Sequence, residues 1–133
     1  MSSADRTAPS GIAILGGSFN PLHVGHLRLA VEIYEALGAH IARVDLVPSA
    51  HPPHKEESRV LPFALRARLA REAAAPYPWL RCSELEGERD LPSYTWDTLG
   101  LYAERERGRR IFFVLGIEDY AQLPAWRNGL RMP

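Results

Sequence analysis

Cysteine is nearly absent: Cys82 is the one thiol in 133 residues, so no internal disulfide can form and no multi-thiolate metal cage can be built. Net charge is absent too, because sixteen basic residues meet sixteen acidic ones. That balance removes the broad field that would draw the chain to nucleic acid or an anionic membrane, and any phosphate site must be local. No apolar run approaches the roughly 20 residues that span a bilayer. The opening Met1-Ser2-Ser3-Ala4-Asp5-Arg6 lacks the apolar core of a secretory signal, so the expected location is cytoplasmic. The two commonest phosphate-loop signatures are missing as well: no Gly-Lys-Ser/Thr closes a Walker loop, and no glycines fall as G-x-G-x-x-G. Without repeats or low-complexity tracts, the length suits one domain. Residues 1–10, small and polar, are expected to be a disordered leader, and residues 11–133 a single α/β domain.

What the chain does have is Gly16-Gly17-Ser18-Phe19-Asn20-Pro21-Leu22-His23-Val24-Gly25-His26, set between a strand-like apolar segment and an amphipathic helix. Adjacent glycines permit a sharp turn and a close approach of backbone to phosphate. The next helix start offers unpaired N–H groups and a positive dipole end. His23 and His26 add side-chain donors there. The run reads as a cradle for a nucleoside triphosphate. Two plainer readings stand beside it. In one, the glycines make an ordinary β–α turn and the histidines are a helix cap and a surface residue. In the other, the H-x-x-H pairs His23/His26 and His51/His54 bind zinc; Cys82 as sole thiolate and the glycine-rich setting count against that.

Periodicity supplies the frame. Ile12-Ala13-Ile14-Leu15 predicts a strand buried on both faces. Leu27, Ala30, Val31, Tyr34 and Leu37 predict a helix from His26, with Gly38 ending it in the left-handed conformation. Val44 to Val47 is a second strand, stopped by Pro48 and followed by the loop Ser49 to Lys55, whose prolines forbid helix. A helix from about Val60 to Ala75 is expected to turn Leu61, Leu65 and Leu69 inward and to leave Arg66, Arg68 and Arg71 on a solvated face. Trp79 to Cys82 predicts a third strand and Glu84 to Asp90 an acidic loop. A helix follows from near Ser93, capped by Ser93 or Thr95, with Asp97 in its first turn and Leu99, Tyr102 and Ala103 as its apolar stripe. Ile111 to Leu115 is the fourth strand. This alternation predicts a doubly wound, mostly parallel α/β sheet, with ligands outside the carboxyl ends of its strands, where the unusual segments would converge.

The run G-G-S-F-N-P-x-H-x-G-H resembles the signature of the HxGH nucleotidyltransferase superfamily. Three later segments then match in order and spacing: Pro52-Pro53-His54-Lys55, Ser93-Tyr94-Thr95-Trp96-Asp97-Thr98-Leu99, and Gly116 with Leu123-Pro124 and Trp126. Over roughly residues 11–130 the chain is similar to bacterial nicotinate-nucleotide adenylyltransferases. The resemblance implies a Rossmann-like fold and adenylyl transfer from ATP to nicotinate mononucleotide, giving deamido-NAD and pyrophosphate in NAD biosynthesis. It makes His23 and His26 the catalytic phosphate donors. Gly16, Gly17, Ser18 and Phe19 become backbone contacts to ATP, and Asn20 orders the loop. Lys55 would meet a substrate phosphate, Ser93, Tyr94 and Thr95 the nicotinate carboxylate, and Trp126 the pyridine ring. Gly116 and either Glu118 or Asp119 would lie at the ATP ribose; Glu118 stands where the family has Asp. Mg2+ is expected on the ATP phosphates, with no protein carboxylate as its main ligand. Expected partners are therefore small molecules, without nucleic acid or membrane, and homo-oligomer formation is left open. The superfamily's later Ser/Thr-rich motif ending in Arg has no counterpart before Pro133, so the domain is expected to be incomplete at its C-terminal end. Two alternatives follow: a nucleotide-binding fragment with little or no catalysis, or a related adenylyltransferase with another acceptor such as phosphopantetheine, against which the Ser93 and Trp126 segments count.

Overall fold

In the computed structural model of the chain, residues 10–49, 60–88 and 95–114 are described. Four strands and three helices alternate there: β1 (Gly11–Gly17), α1 (Val24–Leu37), β2 (Ile41–Pro48), α2 (Phe63–Ala74), β3 (Leu80–Cys82), α3 (Thr95–Arg105) and β4 (Ile111–Phe113), with a 3₁₀ turn at Leu85–Glu88. All pairings are parallel and the order is β3-β2-β1-β4. The chain thus builds outward from β1 to β3, then returns to the other side of β1. The resulting switch point is where open α/β sheets bind ligands.

The central strand is apolar because both its faces are covered. Ala13 and Leu15 pack with Val44, Leu46, Ala30 and Ile33 under α1 and α2; Ile12 and Ile14 pack with Val47, Leu85 and Tyr102 under α3. Helices on both faces make the sheet doubly wound, as its sequence pattern predicts. On α1 the buried residues are Ala30 and Ile33, flanked by half-buried Leu27, Tyr34 and Leu37. Tyr34 stacks on Trp79 at 4.5 Å, which ties α1 to the entry of β3.

Several expectations need correction. Helix α1 ends at Gly38 with φ −55°, an ordinary right-handed conformation; glycine serves sterically, since a Cβ would sit 2.8 Å from the Tyr34 carbonyl oxygen. Helix α2 starts at Phe63, after Pro62. Its inward face is Arg66, Ala67, Ala70 and Ala74, whereas Leu61 and Leu65 are 38% and 39% exposed. Small alanines let the helix lie close to the sheet, a gain that leucine size hides from a periodicity count. Arg68 and Arg71 do lie at the surface, paired with Glu72 and Glu84. Part of the predicted acidic loop is the 3₁₀ turn, and Ala103 of α3 is exposed while Tyr102 is buried. Strand β1 runs on through Gly16 and Gly17. Apart from Ser10, the expected leader lies outside the described residues.

Candidate functional site

The carboxyl ends of β1 and β2 stand side by side, Gly17 opposite Pro48, and Ser49 N–H donates to the Gly17 carbonyl at 2.9 Å. From there the chain turns through Ser18 to Pro21 and enters α1. Gly16 and Gly17 are extended, so they do not make the turn expected of them; the positive φ, 45°, belongs to Phe19. A large residue can hold that left-handed angle because its ring is fixed: Phe19 is 2% exposed and meets the His26 ring edge-on at 5.0 Å. At Gly16 a Cβ would fit in ordinary contact, 3.9 Å from the Phe113 ring and the Val47 carbonyl, so crowding does not require glycine there. The Asn20–Pro21 bond is cis. Asn20 Oδ1 accepts from Leu61 N–H at 2.8 Å, which pins the loop to the approach of α2.

His23 and His26 form a reciprocal cap on α1. His23 is the N-cap residue, its Nδ1 accepting from Gly25 N–H at 3.1 Å; His26, three residues on, accepts through Nδ1 from His23 N–H at 3.0 Å. The pattern is a capping box with imidazoles in place of the usual hydroxyl and carboxylate. The rings stack at 3.8 Å with 27° between their planes. Gly25 is what allows this, for a Cβ there would lie 2.9 Å from the His23 ring. A neutral imidazole that accepts at Nδ1 carries its proton at Nε2, so both rings present an Nε2–H donor. Burial, followed by the neighbouring His23, holds the pKa of His26 below its ordinary value, which favours that neutral donor form. His26 and Leu27 N–H both point to the His23 carbonyl. The helix start therefore satisfies much of its own donor demand, and the imidazole Nε2–H groups are donors that the cap does not use. Cap and ligand donor are compatible roles because they use opposite ring nitrogens.

Thus the structure brings together Gly16, Gly17, Ser18, Phe19, Asn20, His23 and His26 at the carboxyl end of β1 and the start of α1. Thr95 opens α3. Lys55, Ser93, Tyr94, Gly116, Glu118, Asp119 and Trp126, with His51 and His54, lie outside the described residues. Among the described residues no three His, Cys, Asp or Glu side chains group as a metal set, and no helix is long and apolar enough to cross a membrane. Sequence reasoning gives Gly25 no role of its own and puts Arg66 on a solvated face, where the structure buries it. For Gly25 the signal was available, since a backward-folding His23 ring leaves no room for a side chain two residues on. For Arg66 it lay in Ala67, Ala70 and Ala74, whose stripe contains position 66.

The cytidylyltransferase-like family profile matches residues 14–131. A protein of Pseudomonas putida (strain GB-1) called "probable nicotinate-nucleotide adenylyltransferase" is 45% identical over 120 residues, covering 88% of this chain and 52% of the relative. One of the same description from Pelobacter propionicus is 38% identical over 117 residues, covering 88% and 53%. The chain spans about half the length of the curated relatives it matches. In fold it is similar to Plasmodium falciparum nicotinic acid mononucleotide adenylyltransferase complexed with NaAD, with TM-score 0.77, 21% identity, and coverage of 90% of this chain and 58% of that one. A putative nicotinate-nucleotide adenylyltransferase from Vibrio parahaemolyticus gives TM-score 0.71 at 22% identity, covering 92% and 67%. With its sheet, its β1–α1 junction and nearly its whole length matched, this chain belongs to the cytidylyltransferase-like family.

Proposed function

We propose that the chain carries the nucleotide-transfer site of a cytoplasmic enzyme that moves an adenylyl group from ATP to nicotinate mononucleotide. The observation that carries this is the pair of stacked imidazoles capping α1, both with Nδ1 engaged by the cap so that Nε2–H is the nitrogen left to donate, at the carboxyl end of the central strand. In the reaction a phosphate oxygen of the mononucleotide attacks the α-phosphorus of ATP. The bond from that phosphorus to the β-phosphate oxygen breaks, and pyrophosphate leaves. Catalysis is then positioning plus stabilisation of shifting negative charge, with no covalent enzyme intermediate.

His23 and His26 donate to the phosphates, and His26 follows the charge that builds on the departing pyrophosphate. Gly16, Gly17, Ser18 and Phe19 give backbone contacts to ATP, and the bond from Leu61 N–H to Asn20 supports the loop-ordering role. The remaining roles rest on the motif resemblance: Lys55 at a substrate phosphate, Ser93, Tyr94 and Thr95 at the nicotinate carboxylate, Trp126 against the pyridine, and Gly116 with Glu118 or Asp119 at the ribose. A cradle of N–H donors suits phosphate oxygens rather than a hard cation, so magnesium enters as part of the MgATP substrate. The 11–133 span would act as one catalytic unit, and self-association is left open.

Pyrophosphate release tests this, with ATP plus nicotinate mononucleotide and the nicotinamide mononucleotide as comparison. Release with the acid supports the proposal; no release with either overturns it for this chain. Because the chain spans 52% of the Pseudomonas relative, a second reading is a nucleotide-binding piece of such an enzyme. Binding of a non-hydrolysable ATP analogue without turnover would select it.

A further inference from the structure

Arg66 is the one arginine of α2 that is fully buried, 1% exposed, though it sits between exposed leucines and arginines in sequence. Its guanidinium reaches three carbonyls in three separate segments. Nε donates to Leu61 O at 2.7 Å, and Nη1 donates to Ser18 O and to Ser49 O, each at 2.7 Å. A buried cation is costly unless its donors are engaged, and surface helix arginines have no reason to be drawn inward. The two Nη1 acceptors are the residues that leave β1 and β2 at the candidate site.

We infer that Arg66 is a positioning residue for the phosphate cradle, aiming the Phe19 N–H toward bound phosphate by holding the Ser18 carbonyl from behind. The inference rests on the nucleotide-binding reading of this site. In a planar trans peptide the carbonyl of one residue and the N–H of the next point in opposite directions. Ser18 O is held toward Arg66, so Phe19 N–H faces the other way. The same side chain holds Ser49 O, which keeps the ends of β1 and β2 at a fixed separation, and the carbonyl of Leu61, the residue whose own N–H anchors Asn20. The fork of the guanidinium matters here, because an ammonium offers no fixed planar spacing between donors. A positive charge behind the loop also favours an anion in front of it.

The test compares wild type, Arg66→Lys and Arg66→Met in the full chain. Calorimetry with a non-hydrolysable ATP analogue gives affinity, inorganic pyrophosphate serves as a phosphate-only probe, and ¹⁵N-resolved NMR follows the Phe19 amide. In wild type both ligands bind and both shift the Phe19 resonance. Arg66→Lys, which keeps the charge, and Arg66→Met, which does not, lose tenfold or more in affinity for both ligands, and the Phe19 response disappears while helix content stays. A folded variant that binds within threefold of wild type, or that binds more weakly with the Phe19 response intact, overturns the inference. Should neither variant fold, wild type still decides: analogue binding that leaves the Phe19 amide unmoved overturns the role of Arg66 but not the site, and a moved amide supports it. No binding of either ligand by wild type is instead the failure of the nucleotide reading.

Discussion

At His26 the cap uses Nδ1 and the proposed phosphate contact would use Nε2, so the two can be separated by substitution. Asparagine places an acceptor where Nδ1 lies, and glutamine a donor near Nε2. His26→Asn should keep the cap, with a midpoint of urea unfolding near wild type, and lower adenylyl transfer by about a hundredfold or more. His26→Gln should lose about 1 kcal/mol of stability with the cap and retain the larger share of activity. The acid side of the pH profile follows from the same ring. Because burial and then His23 hold His26 below its ordinary 6.5, the unfolded chain takes up this proton first as pH falls. Stability should therefore be full above about pH 6.5, drop as pH descends from there toward the folded-state value, and level off below it. Protonation also ends acceptance at Nδ1 and so opens the cap. Thermal unfolding between pH 7 and 5 checks this, with His26→Asn showing a shallower drop. The histidines themselves were legible from their spacing; their division of labour was not, since it depends on ring orientation.

Between helix and strand, one buried carboxylate is the main polar tie. Asp45 of β2 is 0% exposed. It accepts from Arg43 Nε at 2.9 Å, from Arg81 Nη2 of β3 at 3.1 Å and from the Tyr102 hydroxyl of α3 at 2.8 Å. One side chain thus joins two strands and the helix covering that face. Asp45→Ala should cost about 2–4 kcal/mol in urea denaturation, toward the low end because Arg81 regains solvent easily. Tyr102→Phe, which removes one bond and leaves the carboxylate with both arginines, should cost about 1 kcal/mol. Alternation made β2 legible as a strand, yet Asp45 in its middle looks like a reason to doubt it. Two of its three partners, Arg81 and Tyr102, come from positions 36 and 57 residues away in sequence. The inward face of α2 was misjudged for a related reason: residue size is local, whereas closeness of helix to sheet is a property of the pair.

Across the whole molecule, Cys82 reports whether the core stays closed. It lies at the end of β3 with its thiol directed to the Ala67 carbonyl of α2 at 3.7 Å. Burial, reinforced by Glu84, pushes the thiol up to about 11 from 9.0, and Arg71 only partly offsets this. At neutral pH its thiolate fraction is about a hundredfold below that of an ordinary cysteine. Alkylation of the folded chain should be slower than in urea by at least that factor, and above pH 9 stability should decline as the unfolded chain deprotonates first. Fast labelling of the native chain would contradict this packing. By itself the sequence determined the alternation of strand and helix, the doubly wound class, and the placing of His23 and His26 at the first β–α junction, because each depends on spacing along the chain. Only the tertiary structure decided that Phe19 rather than a glycine makes the turn, that both imidazoles cap α1, and that Arg66 binds the carbonyls that follow β1 and β2. Those outcomes depend on which distant carbonyls and rings meet, and one-dimensional spacing carries no record of that.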